Sequence, residues 1–406
     1  MTTRSDVIEA QATLQNVLNF TPLLRSHVLT KELGGRSVFL KCENLQHTGS
    51  FKARGAYWRM YRLSDEERSR GVVAASAGNH AQGVALAARK LKISATVVMP
   101  KTAPLPKIVA TERYLGEFGQ VKLEGETVAD AIREAREIQN QNGSIFVHPY
   151  DHEDVIAGQG TVGLEIAQQC PEVKTVVVPV GGGGLAAGIA VALADHESAP
   201  KVVGVQALAC APYPSSLITG EPVPVERKAT IADGIAVTEP GKIPLGILQE
   251  HGVSVLTVTE DTLYSALILC LERSKQLVEP AGVAAFGALL QHSDIDMFEP
   301  PVVVVLSGGN IDTLLLAHLL RHGMPKAGRA LAFRCRLADE PGSLAKLLSE
   351  VGDMGANLID VRPERVAQHL LFHQADVLVH LETKGETHCS EIISRLQDKG
   401  YEPERL

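Results

Sequence analysis

The chain has 406 residues, of which 45% are hydrophobic, and it carries 39 basic and 47 acidic residues, giving a formal net charge of −8. This length exceeds what one ordinary hydrophobic core supports, so two or three domains are expected. The negative charge and the scattered basic residues argue against nucleic acid as a partner. Six widely spaced cysteines without a CxxC pair, a polar N-terminus and the lack of an apolar run of membrane-spanning length predict a cytoplasmic protein with reduced cysteines.

The first chemical feature along the chain is Lys52, which follows Gly49, Ser50 and Phe51 and opens a predicted helix. A lysine amine between an aromatic ring and a glycine-rich turn is suited to forming a Schiff base. A helix start capped by Thr48 or Ser50, with Lys52 exposed in the first turn, explains the same motif. The motif alone leaves both interpretations open.

Short apolar runs that end in glycine or polar clusters alternate with alanine-rich helical stretches, which predicts a buried and largely parallel α/β sheet. The predicted strands are residues 72–75, 95–99, 175–180, 201–205 and 302–306. Parallel sheets bind ligands beyond the carboxyl ends of their strands. The segments that follow the first, third and last of these strands should therefore converge on one cleft.

The segment after residues 72–75 consists of Ser76, Ala77, Gly78, Asn79 and His80, and it opens a helix. Its small residues let backbone amides approach a carboxylate, while the Asn79 side chain can hydrogen-bond a ring hydroxyl. A histidine in a first helical turn is more typical of a structural partner than of a base. We therefore assign His80 no catalytic role.

Four consecutive glycines, Gly181, Gly182, Gly183 and Gly184, separate the strand at 175–180 from a predicted helix. Consecutive backbone amides at a helix N-terminus favour phosphate binding, and a plain turn needs only one or two glycines. The missing Gly-Lys-Ser/Thr excludes a Walker loop. The spacing also satisfies GxGxxG/A, but the next strand ends at Gln206 instead of an acidic residue, which favours one phosphate over a dinucleotide.

Ser307 closes the strand at 302–306 and is followed by Gly308, Gly309 and Asn310. A serine hydroxyl at a cofactor's ring nitrogen can hydrogen-bond but cannot stabilise a full positive charge there. Such a partner favours elimination over reactions that need a long-lived carbanion. Taken alone, a β-turn with a capping serine explains this segment equally well.

The pattern changes after residue 322, where residues 323–328 predict a polar, turn-prone joint. Beyond it, strand or helix periodicity predicts a βαββαβ, ferredoxin-like unit. The predicted elements are strands at 331–337, 357–361 and 375–381 and helices around 344–351 and 387–399. The predicted domains are residues 1–322 and 331–406, with a linker at 323–330.

The segments above resemble, in the same order, those of the fold-type II pyridoxal-phosphate enzymes and, among them, the threonine and serine dehydratases. The matching sequences are CENLQHTGSFKARGA at 42–56, SAGNHAQG at 76–83, TIADG at 230–234, EPAG at 279–282 and SGGN at 307–310. The resemblance covers about residues 10–322. It implies an α/β catalytic domain similar to the tryptophan synthase β-chain, with two three-layer αβα subdomains, the smaller at about residues 50–150.

The resemblance implies pyridoxal 5'-phosphate as cofactor and Lys52 as its Schiff-base lysine. It also implies the other cofactor-binding residues, which are Phe51, Asn79, Gly181, Gly182, Gly183, Gly184, Glu279 and Ser307. The substrate carboxylate would lie on Ser76, Ala77, Gly78, Asn79 and His80. The implied reaction is deamination of L-threonine, with L-serine as a second substrate, in a homodimer or homotetramer.

Two departures from the family pattern bear on the reaction. Serine racemases of this family carry a second base at the position of Ala77, so racemisation is disfavoured and Lys52 remains as the base. The divalent-metal site of the racemases needs carboxylates where this chain has Gln206 and Pro212, so no such metal site is predicted. A backbone-carbonyl site for a monovalent ion stays open.

The tail after residue 330 resembles an ACT domain, a module that binds amino acids. Its DxPGxL signature is formed by Asp339, Pro341, Gly342, Ser343 and Leu344, and the predicted effector is isoleucine or valine. Gly342 lets backbone approach a ligand, and the following amides can receive its carboxylate. The alternative is an ACT domain that only pairs subunits.

The sequence is also compatible with other function classes. A serine dehydratase or another β-eliminating enzyme fits nearly as well, whereas SAGNH in place of TSGNT around Asn79 argues against a cysteine synthase. A non-catalytic amino-acid sensor is disfavoured because Lys52, the glycine run and Ser307 are all intact.

Overall fold

The computed structural model describes residues 2–292, 297–326, 328–365 and 370–406. The chain divides into two compact units, Met1–Thr313 and Leu314–Leu406. None of the described helices is long and apolar enough to cross a membrane. All six cysteines are buried and free.

The strands and helices are numbered in chain order. The strands are β1 (Leu23–Arg25), β2 (Val38–Cys42), β3 (Val72–Ala75), β4 (Ala95–Met99), β5 (Gly119–Leu123), β6 (Ile145–Phe146), β7 (Thr175–Pro179), β8 (Lys201–Ala207), β9 (Ser254–Val258), β10 (Val302–Leu306), β11 (Ala330–Ala338), β12 (Asn357–Glu364), β13 (Gln374–Glu382) and β14 (Pro403–Arg405). The helices are α1 (Arg4–Leu14), α2 (His27–Glu32), α3 (Lys52–Tyr61), α4 (Asp65–Arg70), α5 (Asn79–Leu91), α6 (Leu105–Leu115), α7 (Val128–Asn142), α8 (Glu153–Gln169), α9 (Gly184–Leu193), α10 (Tyr213–Thr219), α11 (Lys242–Glu250), α12 (Glu260–Leu269), α13 (Ala284–Gln291), α14 (Thr313–Lys326), α15 (Ser343–Asp353) and α16 (Glu386–Asp398).

The first unit contains two sheets. The larger has the strand order β1-β2-β10-β7-β8-β9, in which β1 pairs antiparallel with β2 and the other pairs are parallel. The smaller, β5-β4-β3-β6, is parallel throughout. Strands β3, β7 and β10 are buried along their whole length, as expected where helices cover both faces of a parallel sheet. The α/β prediction is confirmed, with the five predicted strands found within two residues of their expected ends.

Helices α8 and α9 approach each other closely because glycines lie at their contact. A Cβ on Gly188 would lie 2.5 Å from the backbone nitrogen of Gly160, closer than real Cβ contacts allow. All ten residues of α9 are buried. This packing holds α9, the helix that follows the glycine run, tightly against α8.

In the second unit, the elements after α14 have the order β11-α15-β12-β13-α16-β14, which is the predicted βαββαβ topology. Its antiparallel sheet is ordered β12-β13-β11-β14, and its core is formed by alternate residues of β11 and β13 packed against the two helices. Helix α14 continues to Lys326, so residues 323–326 are helical where the sequence predicts a turn-prone joint. The turn comes at Gly328, whose φ of +65° lies in the left-handed region that ends many helices.

Lys41, Glu43, Arg54 and Glu165 form a buried charge cluster inside the first unit. The Arg54 guanidinium donates to both carboxylate oxygens of Glu43 at 2.8 Å and to Glu165 Oε1 at 2.6 Å. Lys41 Nζ donates to Glu165 Oε2 at 2.5 Å. Burial alone would raise the pKa of Glu43, but the Arg54 and Lys41 charges hold that pKa below its usual value. Two carboxylates thus balance two cations out of water.

Replacing Arg54 by methionine should destabilise the protein by about 3–5 kcal/mol, because two buried carboxylates lose their main partner. The measurement is urea unfolding followed by tryptophan fluorescence, with Arg133→Met as the control. Arg133 also meets its carboxylate, Asp130, at 2.6 Å, but it is 68% exposed, so its loss should change stability by less than about 1 kcal/mol. Equal changes in the free energy of unfolding in the two variants would contradict a stabilising role for the cluster.

Candidate active site

Lys52 is the first residue of α3, and its side chain is half-buried. Its Nζ donates to the carbonyl of Pro149 at 2.8 Å and lies 5.1 Å from the centre of the Phe51 ring. Burial lowers the pKa of this amine to about 8, against the opposing effect of the Glu279 carboxylate. A much larger fraction of Lys52 is therefore neutral and nucleophilic near neutral pH than of an ordinary lysine.

Backbone hydrogen bonds join the segment before Lys52 to the loop after β10. The Phe51 N–H donates to the carbonyl of Ser307 at 3.2 Å, and the Gly309 N–H donates to the carbonyl of Gly49 at 2.8 Å. Between these bonds, Ser50 and Gly308 form an isolated antiparallel bridge. Ser307 is buried at the end of its strand, and its position relative to Lys52 is set by the main chain.

The loop at residues 279–282 joins the same region. The Glu279 N–H donates to the carbonyl of Gly308 at 3.0 Å. The Glu279 carboxylate is buried and accepts from Asn79 Nδ2 at 2.6 Å. Burial raises the pKa of Glu279 to about 7, although the Lys107 charge and the Asn79 hydrogen bond lower it. Lys52, Asn79, Glu279 and Ser307 therefore belong to one contiguous site.

Asn79, the first residue of α5, has one side-chain atom still available. Its Nδ2 is bound to Glu279, whereas its Oδ1 is buried and has no hydrogen-bond partner among the residues that the structure describes. Leaving a buried acceptor unpaired is unfavourable, so such an atom indicates a missing donor. A ligand hydroxyl would supply that donor.

The glycine run lies where predicted, between β7 and α9. Gly183 has a φ of +96° and precedes α9, which starts without a side-chain cap. A Cβ on Gly182 would lie 2.3 Å from the Tyr150 ring, and one on Gly183 would lie 1.9 Å from Tyr213 Oη. Tyr213 also donates to the carbonyl of Gly182 at 3.0 Å. Only glycine fits here, and the first-turn amides of α9 can bind an anion.

Pro149, Tyr150 and Tyr213 are site residues that sequence reasoning missed. Pro149 accepts the hydrogen bond of Lys52, and its neighbour Tyr150 packs on Gly182, so this dipeptide connects the amine to the glycine run. Each of the three is distant in sequence from the residue it contacts, and none lies in a recognisable motif. Residue spacing offered no signal for them.

The segment of Ser76, Ala77 and Gly78 connects β3 to α5. Ser76 Oγ accepts from the Gly78 N–H at 3.1 Å, and α5 begins at Asn79 without a side-chain cap. His80 is buried, and its Nε2 lies 2.8 Å from the carbonyl of Val147. Burial lowers the pKa of His80 to about 3, and the Lys52 charge adds to this effect. The imidazole is therefore neutral and donates its Nε2 proton to that carbonyl.

The other predicted site lies in the C-terminal unit, in the loop between β11 and α15. Gly342 precedes α15 with a φ of +91°, in the region that favours glycine, and α15 has no side-chain cap. Asp339 Oδ1 accepts from Arg365 Nε at 3.0 Å. Pro341 precedes Gly342 in this loop. Ser343 and Leu344 open the helix, and Leu344 packs against the core of the unit.

The chain is similar in sequence and in fold to known proteins. The family model described as pyridoxal-phosphate dependent enzyme matches residues 14–308. The chain is 45% identical over 402 residues to the L-threonine ammonia-lyase of Thermotoga maritima, with 99% of each chain covered. Its fold is similar to the processed form of threonine deaminase isoform 2 from Solanum lycopersicum, with a TM-score of 0.74, 35% identity and coverage of 78% of this chain and 92% of that chain. Maize serine racemase has the same TM-score of 0.74 at 29% identity, with coverage of 80% of this chain and 98% of that chain.

The lowered pKa of Lys52 predicts how the apoprotein takes up pyridoxal phosphate. Because only a neutral amine attacks an aldehyde, the uptake rate should rise about tenfold per pH unit and level off above about pH 8. Visible absorbance after rapid mixing of the apoprotein with pyridoxal phosphate measures this rate. Glu279→Gln removes the charge that raises this pKa and should move the midpoint to lower pH, whereas Glu117→Gln at an exposed position should not. A midpoint near 10.5, the usual lysine value, would contradict the assignment.

Proposed function

We propose that this chain converts L-threonine to 2-oxobutanoate and ammonia by eliminating water across Cα and Cβ. The chain belongs to the pyridoxal-phosphate dependent enzyme family and is a threonine ammonia-lyase. The observation that carries this function is the Lys52 amine, with a pKa lowered to about 8 by burial, held 2.8 Å from the Pro149 carbonyl. Similarity to an L-threonine ammonia-lyase over almost the whole chain supports the same reaction.

The residues of the site fit pyridoxal phosphate, which presents an aldehyde, a ring hydroxyl, a ring nitrogen and a phosphate. We infer that Lys52 binds the aldehyde carbon and that Phe51 lies against the ring. Asn79 Oδ1, buried and without a partner in the described part of the chain, is available to the ring hydroxyl. Glu279 supports this role because it holds the other atom of the amide, Nδ2, at 2.6 Å.

Two further contacts complete the proposed cofactor site. The glycine run at residues 181–184 would bind the phosphate, because its amides converge at the uncapped start of α9. Ser307 would hydrogen-bond the ring nitrogen. A neutral hydroxyl there makes the ring a weaker electron acceptor than a carboxylate partner would, which favours rapid loss of a β-leaving group.

When bound, the cofactor withdraws electrons from the substrate Cα. Lys52 would hold the cofactor until the substrate amine takes its place, and its freed, neutral Nζ would then accept the Cα proton. Loss of this proton with the β-hydroxyl removes one water, and hydrolysis returns one water and releases 2-oxobutanoate and ammonia. Backbone amides from Ser76 to His80 would hold the substrate carboxylate, while the neutral His80 stays bound to the Val147 carbonyl and takes no part in proton transfer.

Elimination is favoured over racemisation because Ala77 has no proton to give. A racemase needs a second base on the face of Cα opposite Lys52. The fold alone does not separate these reactions, since maize serine racemase matches this chain with a TM-score of 0.74. Threonine and serine differ by one methyl, worth about 1–3 kcal/mol in a pocket, so we also propose activity on L-serine.

For the C-terminal unit we propose an ACT domain that senses isoleucine or valine. Support comes from its βαββαβ topology and from the loop with Asp339, Pro341 and Gly342 before an uncapped helix. Pairing of subunits through this unit, without effector binding, is the alternative. We further propose a cytoplasmic homodimer or homotetramer, in keeping with six buried and free cysteines.

Replacing Lys52 by alanine should abolish both the visible absorbance of the bound cofactor and the release of 2-oxobutanoate, because the site loses its attachment point and its base. A coupled assay for the keto acid measures the second effect. Lys101→Ala is the control, since this lysine is 55% exposed and should tolerate the change. Turnover of threonine by Lys52→Ala at the original rate would refute the mechanism.

The substrate is best tested by kcat/KM for L-threonine, L-serine and D-serine in one assay series. We expect kcat/KM to be about 10- to 100-fold higher for L-threonine than for L-serine, because the two substrates differ by one methyl group. D-serine should not react. Formation of D-serine from L-serine would instead favour the racemase alternative.

Isoleucine or valine should change the activity of the full chain, and Gly342→Asp should weaken that response. The added carboxylate would repel the effector's carboxylate at the start of α15. Gly342→Asn introduces a side chain of the same size at the same φ of +91° without a charge, so it should retain more of the response. Activity of the unmodified chain that is insensitive to both amino acids would favour the subunit-pairing alternative.

A further inference from the structure

Lys107 lies beside the loop proposed to hold the substrate carboxylate, although no sequence motif includes it. It is the third residue of α6, and its Nζ is 3.9 Å from the position that a Cβ on Gly78 would occupy. The side chain is 16% exposed. The Lys107 ammonium group therefore lies close to the backbone of Gly78, on the side where a side chain at this position would project.

The ionic partner of Lys107 is loosely held. Lys107 Nζ and Asp233 Oδ2 are 3.9 Å apart, which is beyond hydrogen-bond distance, and Asp233 is 58% exposed. A pair at this separation, with its carboxylate largely in solvent, contributes little stability. Another carboxylate could replace Asp233 at Lys107 with little loss.

Asp233 also belongs to the site. It opens a short 3-10 helix, Asp233–Ile235, and a Cβ on Gly234 would lie 3.8 Å from Glu279 Oε1. The pKa of Glu279 responds to both members of the pair, since the Lys107 charge lowers it and the Asp233 charge raises it. The pair therefore connects α6, between strands of the smaller sheet, to a turn next to Glu279.

We propose that Lys107 is a substrate-binding residue that forms an ion pair with the carboxylate of the amino acid, and that Asp233 occupies this position until the substrate replaces it. The inference rests on the proposed function, which brings an amino acid to the loop at Gly78. Backbone amides of that loop would orient the carboxylate, and Lys107 supplies the unit positive charge that amides lack. The pair thereby selects free amino acids over their amides and esters.

The pair can be removed without threatening the fold, because Lys107 and Asp233 meet at 3.9 Å and Asp233 is largely exposed. The variant for the test is Lys107→Met, and the control is Lys101→Met. Lys101 is 55% exposed and pairs with Glu124 at 3.4 Å. Unchanged visible absorbance of the bound cofactor would show that each variant retains its cofactor site.

Binding is measured on the holoenzyme by the change in visible absorbance on titration with glycine and with glycinamide, which have no β-hydroxyl to lose. Lys107→Met should weaken glycine binding about 10- to 100-fold and leave glycinamide binding unchanged, because only glycine has a carboxylate. Asp233→Asn should tighten glycine binding about two- to fivefold, since a competitor for Lys107 is removed.

Turnover provides the second measurement. Lys107→Met should raise KM for L-threonine about 10- to 100-fold with kcat nearly unchanged, whereas a merely structural change would lower kcat and absorbance together. Unchanged glycine affinity in Lys107→Met, or an equal loss for glycine and glycinamide, would overturn the inference. Failure of the unmodified enzyme to release 2-oxobutanoate would overturn the proposed function instead, and the glycine titration would still decide the role of Lys107.

Discussion

Arg54 anchors the helix that presents the reactive lysine, and the geometry of the site depends on this anchor. Lys52 and Arg54 are two residues apart on α3, so they project from different faces of the helix. Arg54 is held on one face by Glu43 and Glu165, while Lys52 reaches the Pro149 carbonyl on another. The start of α3 has no side-chain cap. Buried charges therefore hold the helix from which Lys52 projects.

Burial also sets the protonation states of the groups around the lysine. It lowers the pKa of Lys52 to about 8, raises that of Glu279 to about 7 and lowers that of His80 to about 3. The charges of Lys52 and Glu279 oppose these effects, because each favours the ionised form of the other. The histidine stays neutral near neutral pH, in agreement with the proposed mechanism, in which Lys52 is the base.

Main-chain hydrogen bonds join several loops of the site. Phe51, Gly309 and Glu279 each donate a backbone N–H to a neighbouring loop within 3.2 Å. A Cβ on Gly282 would lie 2.2 Å from the Gly308 carbonyl, so glycine is required for this close approach. Such a frame positions a cofactor and substrate with little adjustment on binding, which suits a reaction that depends on the orientation of one Cα–H bond.

The sequence by itself determined the α/β class, the strands at 72–75, 95–99 and 302–306, and the βαββαβ order of the C-terminal unit. It also identified Lys52, Asn79, the glycine run and Ser307 as candidate site residues. These follow from local periodicity and from short motifs at strand ends, which are properties of neighbouring residues. The helix through residues 323–326 departs from the expected joint, since the turn residues there tolerate the last turn of α14. Only the tertiary structure decided the lowered pKa of Lys52, the contacts of Tyr150 and Tyr213 with the glycines, the cluster around Arg54 and the pairing of Lys107 with Asp233. Each of these joins residues far apart in the chain, and both desolvation and Coulomb interactions depend on distance in space, which spacing along a sequence does not encode.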